Sequence, residues 1–92
     1  TGKLPPRLWI SEKLGILKEH DREHRTEFYR TLKLFLENNL NTVRTAKELY
    51  IHRSTFLYRM ERIKEMTGVD LDNRDQRLYL MISFRLMELE ES

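Results

Sequence analysis

Apolar residues recur along this chain at intervals of three and four, in short blocks divided by polar turns, and that spacing predicts helices throughout. The strongest block sets Phe28, Leu32, Phe35 and Leu36 on one stripe, giving a helix over residues 22–38 behind Asp21, an N-cap residue type. Asn38, Asn39 and Asn41 end it, because asparagine tolerates left-handed backbone and bonds its own main chain in turns. Before it, Leu14 and Leu17 predict a short helix over residues 11–18 with Ser11 as N-cap, weakened by Gly15. After it, a helix over residues 42–49, capped by Asn41, places Val43, Ala46 and Leu49 on one apolar face. A break at residues 50–53 leads into a fourth helix capped by Ser54, with Phe56, Met60 and Ile63 inward and Thr55, Tyr58, Arg59 and Arg62 elsewhere. Gly68 reads as its C-terminal stop, and Asp72 or Asn73 caps a fifth helix reaching about Leu89.

That last helix carries two apolar stripes. Leu78, Ile82, Leu86 and Leu89 lie on one side, and Leu80, Phe84 and Met87 nearly opposite. One stripe serves the core, and the other is expected to meet a partner. Leu80, Phe84 and Met87 are assigned to a homodimer contact or to contact with an upstream sensory domain.

Ninety-two residues make one domain with a single modest core. Hydrophobic residues at 39%, charged residues at 35%, and only three glycines and two prolines describe a patterned helical protein, not a disordered tail. Residues 1–10, with Pro5 and Pro6, read as a linker from an upstream region, and residues 11–92 as the domain; the missing initiator methionine fits a chain cut from something longer. The absence of cysteine excludes a disulfide scaffold, a thiol nucleophile and a thiolate zinc site, and suits a cytoplasmic protein. No apolar run approaches a membrane span.

The net charge of +2 says little until it is divided along the chain. Residues 1–43 hold eight Lys/Arg and six Asp/Glu, residues 44–64 six and two, and residues 65–92 three and seven. A basic centre between a near-neutral segment and an acidic tail is what a phosphate-binding face produces. It coincides with the layout of a helix-turn-helix over about residues 42–67: a short helix with small Ala46 at its centre, a tight corner, and a second helix. The exposed side of the second helix carries His52, Arg53, Ser54, Thr55, Tyr58 and Arg59, expected to face bases; Thr42, Arg44, Lys47 and Arg62 are expected to face phosphates. Arginine presents a fork of donors matching guanine or phosphate acceptors, and Ser and Thr hydroxyls serve either. The competing reading is that Arg59 and Arg62 merely pair with Glu61, Glu65 or other acids on a solvated face.

The stretch from NLNTVRTAKELY through IHRSTFLYRMERIKEMTGVDLDNRDQRLYL resembles the C-terminal helix-turn-helix domain of the PucR and CdaR group of regulators of purine-catabolism and sugar-diacid genes. Its centre, TAKELYIHRSTFLYRMERI, is specific to that group, and DREHRTEFYRTLKLFLENN upstream is similar to the group's preceding helix. The resemblance implies an all-α fold of about five helices, a helix-turn-helix bundle of three to five helices of the Fis-like type, binding double-stranded DNA below an effector-sensing region. By position, His52, Arg53, Thr55 and Tyr58 match the start of the recognition helix; Arg59 and Arg62 are added from helical spacing alone. Tyr50 stands at the corner where helix-turn-helix units often have glycine.

Two rivals remain. His20-Asp21-Arg22-Glu23-His24 fits the H-x-x-E-H spacing of zinc peptidases, but the pattern places no third ligand or open coordination site and the chain is too short for a substrate cleft, so no metal, cofactor or enzymatic activity is expected. The second is a protein interaction module in which the two-faced last helix binds a partner and the basic centre is incidental.

Overall fold

The computed structural model describes residues 6–91, with side chains from residue 12 onward. Five helices follow one another: α1 (Pro6–His24), α2 (Phe28–Glu37), α3 (Thr42–Glu48), α4 (Arg53–Thr67) and α5 (Arg74–Glu91), with no strand among the described residues. The predicted all-α class holds, and the boundaries of α3, α4 and α5 fall within two residues of those read from the pattern.

The first two helices are divided differently from the prediction. Pro6 takes the first position of α1, where its missing N–H forfeits no bond, and the helix runs on to His24. It therefore covers residues 6–10 and places Ser11 within a helix instead of at its cap; the Ser11 side chain lies outside the described residues, as does Pro5. Arg25, at φ 55°, breaks the chain. Asp21 then caps α2 from seven residues away: its carboxylate accepts the N–H groups of Phe28 at 2.8 Å and Tyr29 at 2.9 Å, together with the Thr26 hydroxyl. Because Thr26 gives its only proton to Asp21, His20 Nδ1 must donate to Thr26 Oγ1, 2.9 Å away.

The core gathers Leu14 and Leu17 from α1, Phe28, Leu32 and Leu36 from α2, Ala46 and Leu49 at α3, and Phe56, Met60 and Ile63 from α4. Val69, Leu71, Leu80 and Phe84 complete it. Edge-on aromatic pairs tie α2 in both directions, Phe35 to Phe56 at 5.0 Å and Tyr29 to Phe84 at 4.9 Å. α4 and α5 each pack on α1 and α2 and do not approach one another, so the α1–α2 pair stands between them.

This arrangement decides which stripe of α5 is the core. Leu80 and Phe84 are buried and Met87 packs against them, so the partner contact expected on these three residues is corrected: the domain itself consumes that face. Leu78, Ile82, Leu86 and Leu89 face outward, each about half exposed.

The turns rest mostly on left-handed residues that are not glycine. After α2, Asn39 (φ 54°) and Leu40 (φ 62°) return their N–H groups to Leu36 and Phe35 at 3.1 and 2.8 Å. After α3, Tyr50 (φ 56°) and Ile51 return theirs to Lys47 and Ala46, both at 3.1 Å. Both are Schellman closures made by main chain alone. Gly68 (φ 70°) ends α4, and Asn73, not Asp72, caps α5 by accepting the Gln76 N–H at 3.0 Å.

Candidate nucleic-acid interface

α3 is too short to persist alone and is held at both ends. Asn41 Oδ1 accepts the Arg44 N–H at 2.9 Å at its start, and the Schellman closure fixes its finish. Buried Thr45 donates to the Asn41 carbonyl at 2.8 Å and accepts from Asn38 Nδ2 at 3.3 Å, which sets the rotation of the helix. Ala46 and Leu49 then face inward as predicted, but Val43 does not: it is 68% exposed, and Thr45 takes the core position instead.

α4 buries Phe56, Met60, Ile63 and Thr67 against the core, leaving the opposite side to solvent. His52 holds the N-cap position and makes no side-chain cap; Ser54, predicted to cap the helix, is its second residue. Neither α3 nor α4 has an acidic residue in its first turn, and Arg53 opens α4. Cations near the positive end of a helix dipole are slightly unfavourable in isolation, by a few tenths of a kcal/mol. An external anion reverses the sign of that effect.

The predicted contact residues fall into two sets. Arg44, Lys47, His52, Arg53, Ser54, Thr55 and Tyr58 are exposed, Thr42 is half-buried, and the side chains of all eight make no hydrogen bond or ion pair among the described residues. Lys47, His52 and Arg53 come together around a recess of about 260 Å³ whose apolar lining is Val43, Ala46 and Ile51. Arg59 and Arg62 are engaged within the domain. Half-buried Arg59 donates to Thr31 Oγ1 of α2 at 3.1 Å, and Arg62 pairs with Glu65 at 2.9 Å, one of the acids foreseen in the competing reading.

The sequence reading missed Val43 and Tyr50 as surface residues. Val43 was hidden by a helical period that counted it as core, whereas 94%-exposed Tyr50 had been noted only as a turn anomaly.

The H-x-x-E-H string sits at the end of α1. Its histidine rings lie 4.6 Å apart, His20 stacks on Phe28 at 4.7 Å, and Glu23 is near Arg22 and His24 at 3.7 and 3.9 Å. Among the described residues no three His, Cys, Asp or Glu side chains are grouped to hold a metal ion, and no helix is long and apolar enough to cross a membrane.

A short helix, a corner closed by main-chain bonds and a second helix presenting unpaired cations define a helix-turn-helix of the DNA-binding class. The chain belongs to the PucR C-terminal helix-turn-helix domain family, which matches residues 28–86. It is 40% identical over 75 residues, 82% of its length, to the proline-responsive transcriptional activator PutR of Bacillus subtilis. It is 46% identical over 59 residues, 64% of its length, to the carbohydrate diacid regulator of Escherichia coli, and 33% identical over 76 residues, 83% of its length, to the purine catabolism regulatory protein of B. subtilis. The matched parts span 18%, 15% and 14% of those three proteins. No solved structure gives a significant match.

Proposed function

We propose that this domain delivers a bacterial transcription regulator to its promoter by laying α4 in the major groove of double-stranded DNA. The observation that carries the reading is a division of cations: among the described residues Arg44, Lys47 and Arg53, on α3 and at the start of α4, have no partner, while Arg59 and Arg62 farther along α4 do. His52, Arg53, Ser54, Thr55 and Tyr58 face base edges, and Thr42, Arg44 and Lys47 meet phosphates. Arg59 steadies α4 on α2 and keeps for the duplex the guanidinium donors that Thr31 does not use, and Arg62 exchanges Glu65 for a phosphate. The apolar recess beside Val43 and Ile51 is matched to a thymine methyl group, the one apolar feature of the major-groove code.

The regulator works in the cytoplasm, where promoter DNA lies. It acts as a binding protein, not an enzyme, and senses its effector upstream of α1, so that the boundary read at residue 10 moves to the start of that helix. The relatives are named for a response to proline, for carbohydrate diacid and for purine catabolism, which supports a metabolic promoter as the target here. The exposed ridge of α5 favours a second role alongside DNA binding, contact with a second copy or an upstream domain.

Fluorescence anisotropy on the regulator's own promoter and on scrambled duplex, across a salt series, tests the reading. Promoter preference with a steep salt slope is expected. Equal weak binding to both duplexes would reduce the surface to a non-specific basic face, and no binding at low salt would transfer the function to α5.

A further inference from the structure

We infer that the outward ridge of α5 is a self-complementary seam that packs antiparallel on the same ridge of a second copy. The inference rests on the reading of α5 as a partner-bearing helix and deepens it by naming the partner and its orientation.

Positions four apart along a helix form a continuous ridge. On the outer side of α5 that ridge reads Arg74, Leu78, Ile82, Leu86, Glu90. The three apolar members are 55%, 47% and 55% exposed, and the two charged ones make no hydrogen bond or ion pair among the described residues. The order is basic, apolar, apolar, apolar, acidic. Reversed, it is the same series with its charges exchanged.

A two-fold axis at Ile82 therefore sets Ile82 on Ile82, Leu78 on Leu86 of the second copy, and Arg74 on Glu90 of the second copy, with each unlike pairing made twice. Such an interface is isologous, which is how soluble dimers most often form. The ridge spans about 24 Å of helix. Parallel pairing would set Arg74 against Arg74 and Glu90 against Glu90. A slip of one turn would set one charge of each copy, Glu90 on Leu78 or Arg74 on Leu86 according to its direction, against a leucine and carry the other past the end of the ridge. Charge thus selects one register and one direction. Because α1 and α2 stand between α5 and α4, the seam leaves the helix-turn-helix surface of both copies uncovered. A contact this small makes a weak dimer, on the order of micromolar.

Sedimentation equilibrium of the chain without DNA, from about micromolar to about millimolar, reads the seam directly. A monomer–dimer equilibrium is expected. Ile82→Glu, which places like charges across the axis, weakens it by about a hundredfold or more. Arg74→Glu and Glu90→Arg each weaken it by roughly three- to tenfold, and the double reversal restores it. All three positions are exposed, and thermal melts of the variants verify folding. A monomer throughout the range, a dimer indifferent to Ile82→Glu, or a double reversal no better than either single one overturns the inference. Since the readout contains no DNA, loss of the seam and loss of the DNA-binding reading are told apart, and Ile82→Glu is expected to keep the single-domain affinity for a half-site.

Discussion

The two flanks of the α1–α2 pair use charge in opposite ways. On the flank that meets α5, cations are spent on the fold: Lys18 pairs with Glu91, Lys33 with Glu88 and Glu37, and Lys18 also lies 5.1 Å over the Tyr29 ring. On the α3–α4 flank, Arg44, Lys47 and Arg53 have no such partner among the described residues. Similar residues thus do different work, decided by whether an acid stands within reach. Charge counts along a sequence register both kinds equally; only the pairing separates a cation that holds helices together from one offered to a ligand.

The comparison breaks most visibly at Arg53. Arg53→Ala is expected to weaken specific DNA binding by about 1 to 3 kcal/mol while leaving the melting temperature within error, as seen by anisotropy and calorimetry on the same preparation. Asp21→Ala is the mirror case. It removes the carboxylate that closes the start of α2 and is expected to lower stability by about 0.5 to 2 kcal/mol in denaturant titration, with intrinsic DNA contacts intact in the folded fraction. Tyr50→Gly relieves a left-handed aromatic residue, and after allowance for the glycine's greater unfolded freedom the domain should gain about 1 kcal/mol.

The smallest effects sharpen the contrast further. Lys47→Ala lowers the salt slope of DNA binding by about one charge, whereas Lys33→Ala leaves the slope alone and costs at most about 1 kcal/mol of stability. Lys33 is also visible through pH. Its hydrogen bond to Glu88 raises its pKa above the ordinary 10.5, and burial, helped by the Glu88 charge, raises the Tyr29 phenol above 10.0. Groups with raised folded values stabilise fully below their ordinary values and lose that contribution as pH climbs through the raised ones. The melting temperature should therefore decline above about pH 10, and less so in Lys33→Ala; a flat profile would remove both groups from the account.

How much of this was legible in the sequence depended on whether a residue type names its own role. Asn41 and Gly68 did, because a cap and a left-handed stop have characteristic residues, and α3 and α4 were bounded accordingly. Arg25 did not. Nothing in an arginine announces a left-handed backbone, so the sequence places the break between α1 and α2 too early, and Asp21, rightly read as the cap of the second helix, caps it from within α1 and not from the position just before its first turn. In α5 both stripes satisfy helical periodicity, and only the seating of Phe84 on Tyr29 shows which one the core takes. The cluster of Lys47, His52 and Arg53 was readable from the helix-turn-helix layout, whereas the engagement of Arg59 by Thr31, 28 residues away, is a tertiary fact with no local trace.

The closure of the α3–α4 corner has an evolutionary consequence. Main-chain bonds and the packing of Leu49 and Ile51 on the core secure it, and the side chain at its tip, 94% exposed, contributes nothing to holding it shut. Position 50 can therefore change among residues that tolerate a left-handed backbone without the scaffold being rebuilt, so the tip of the corner is a place where a lineage can vary its surface while its fold stands still.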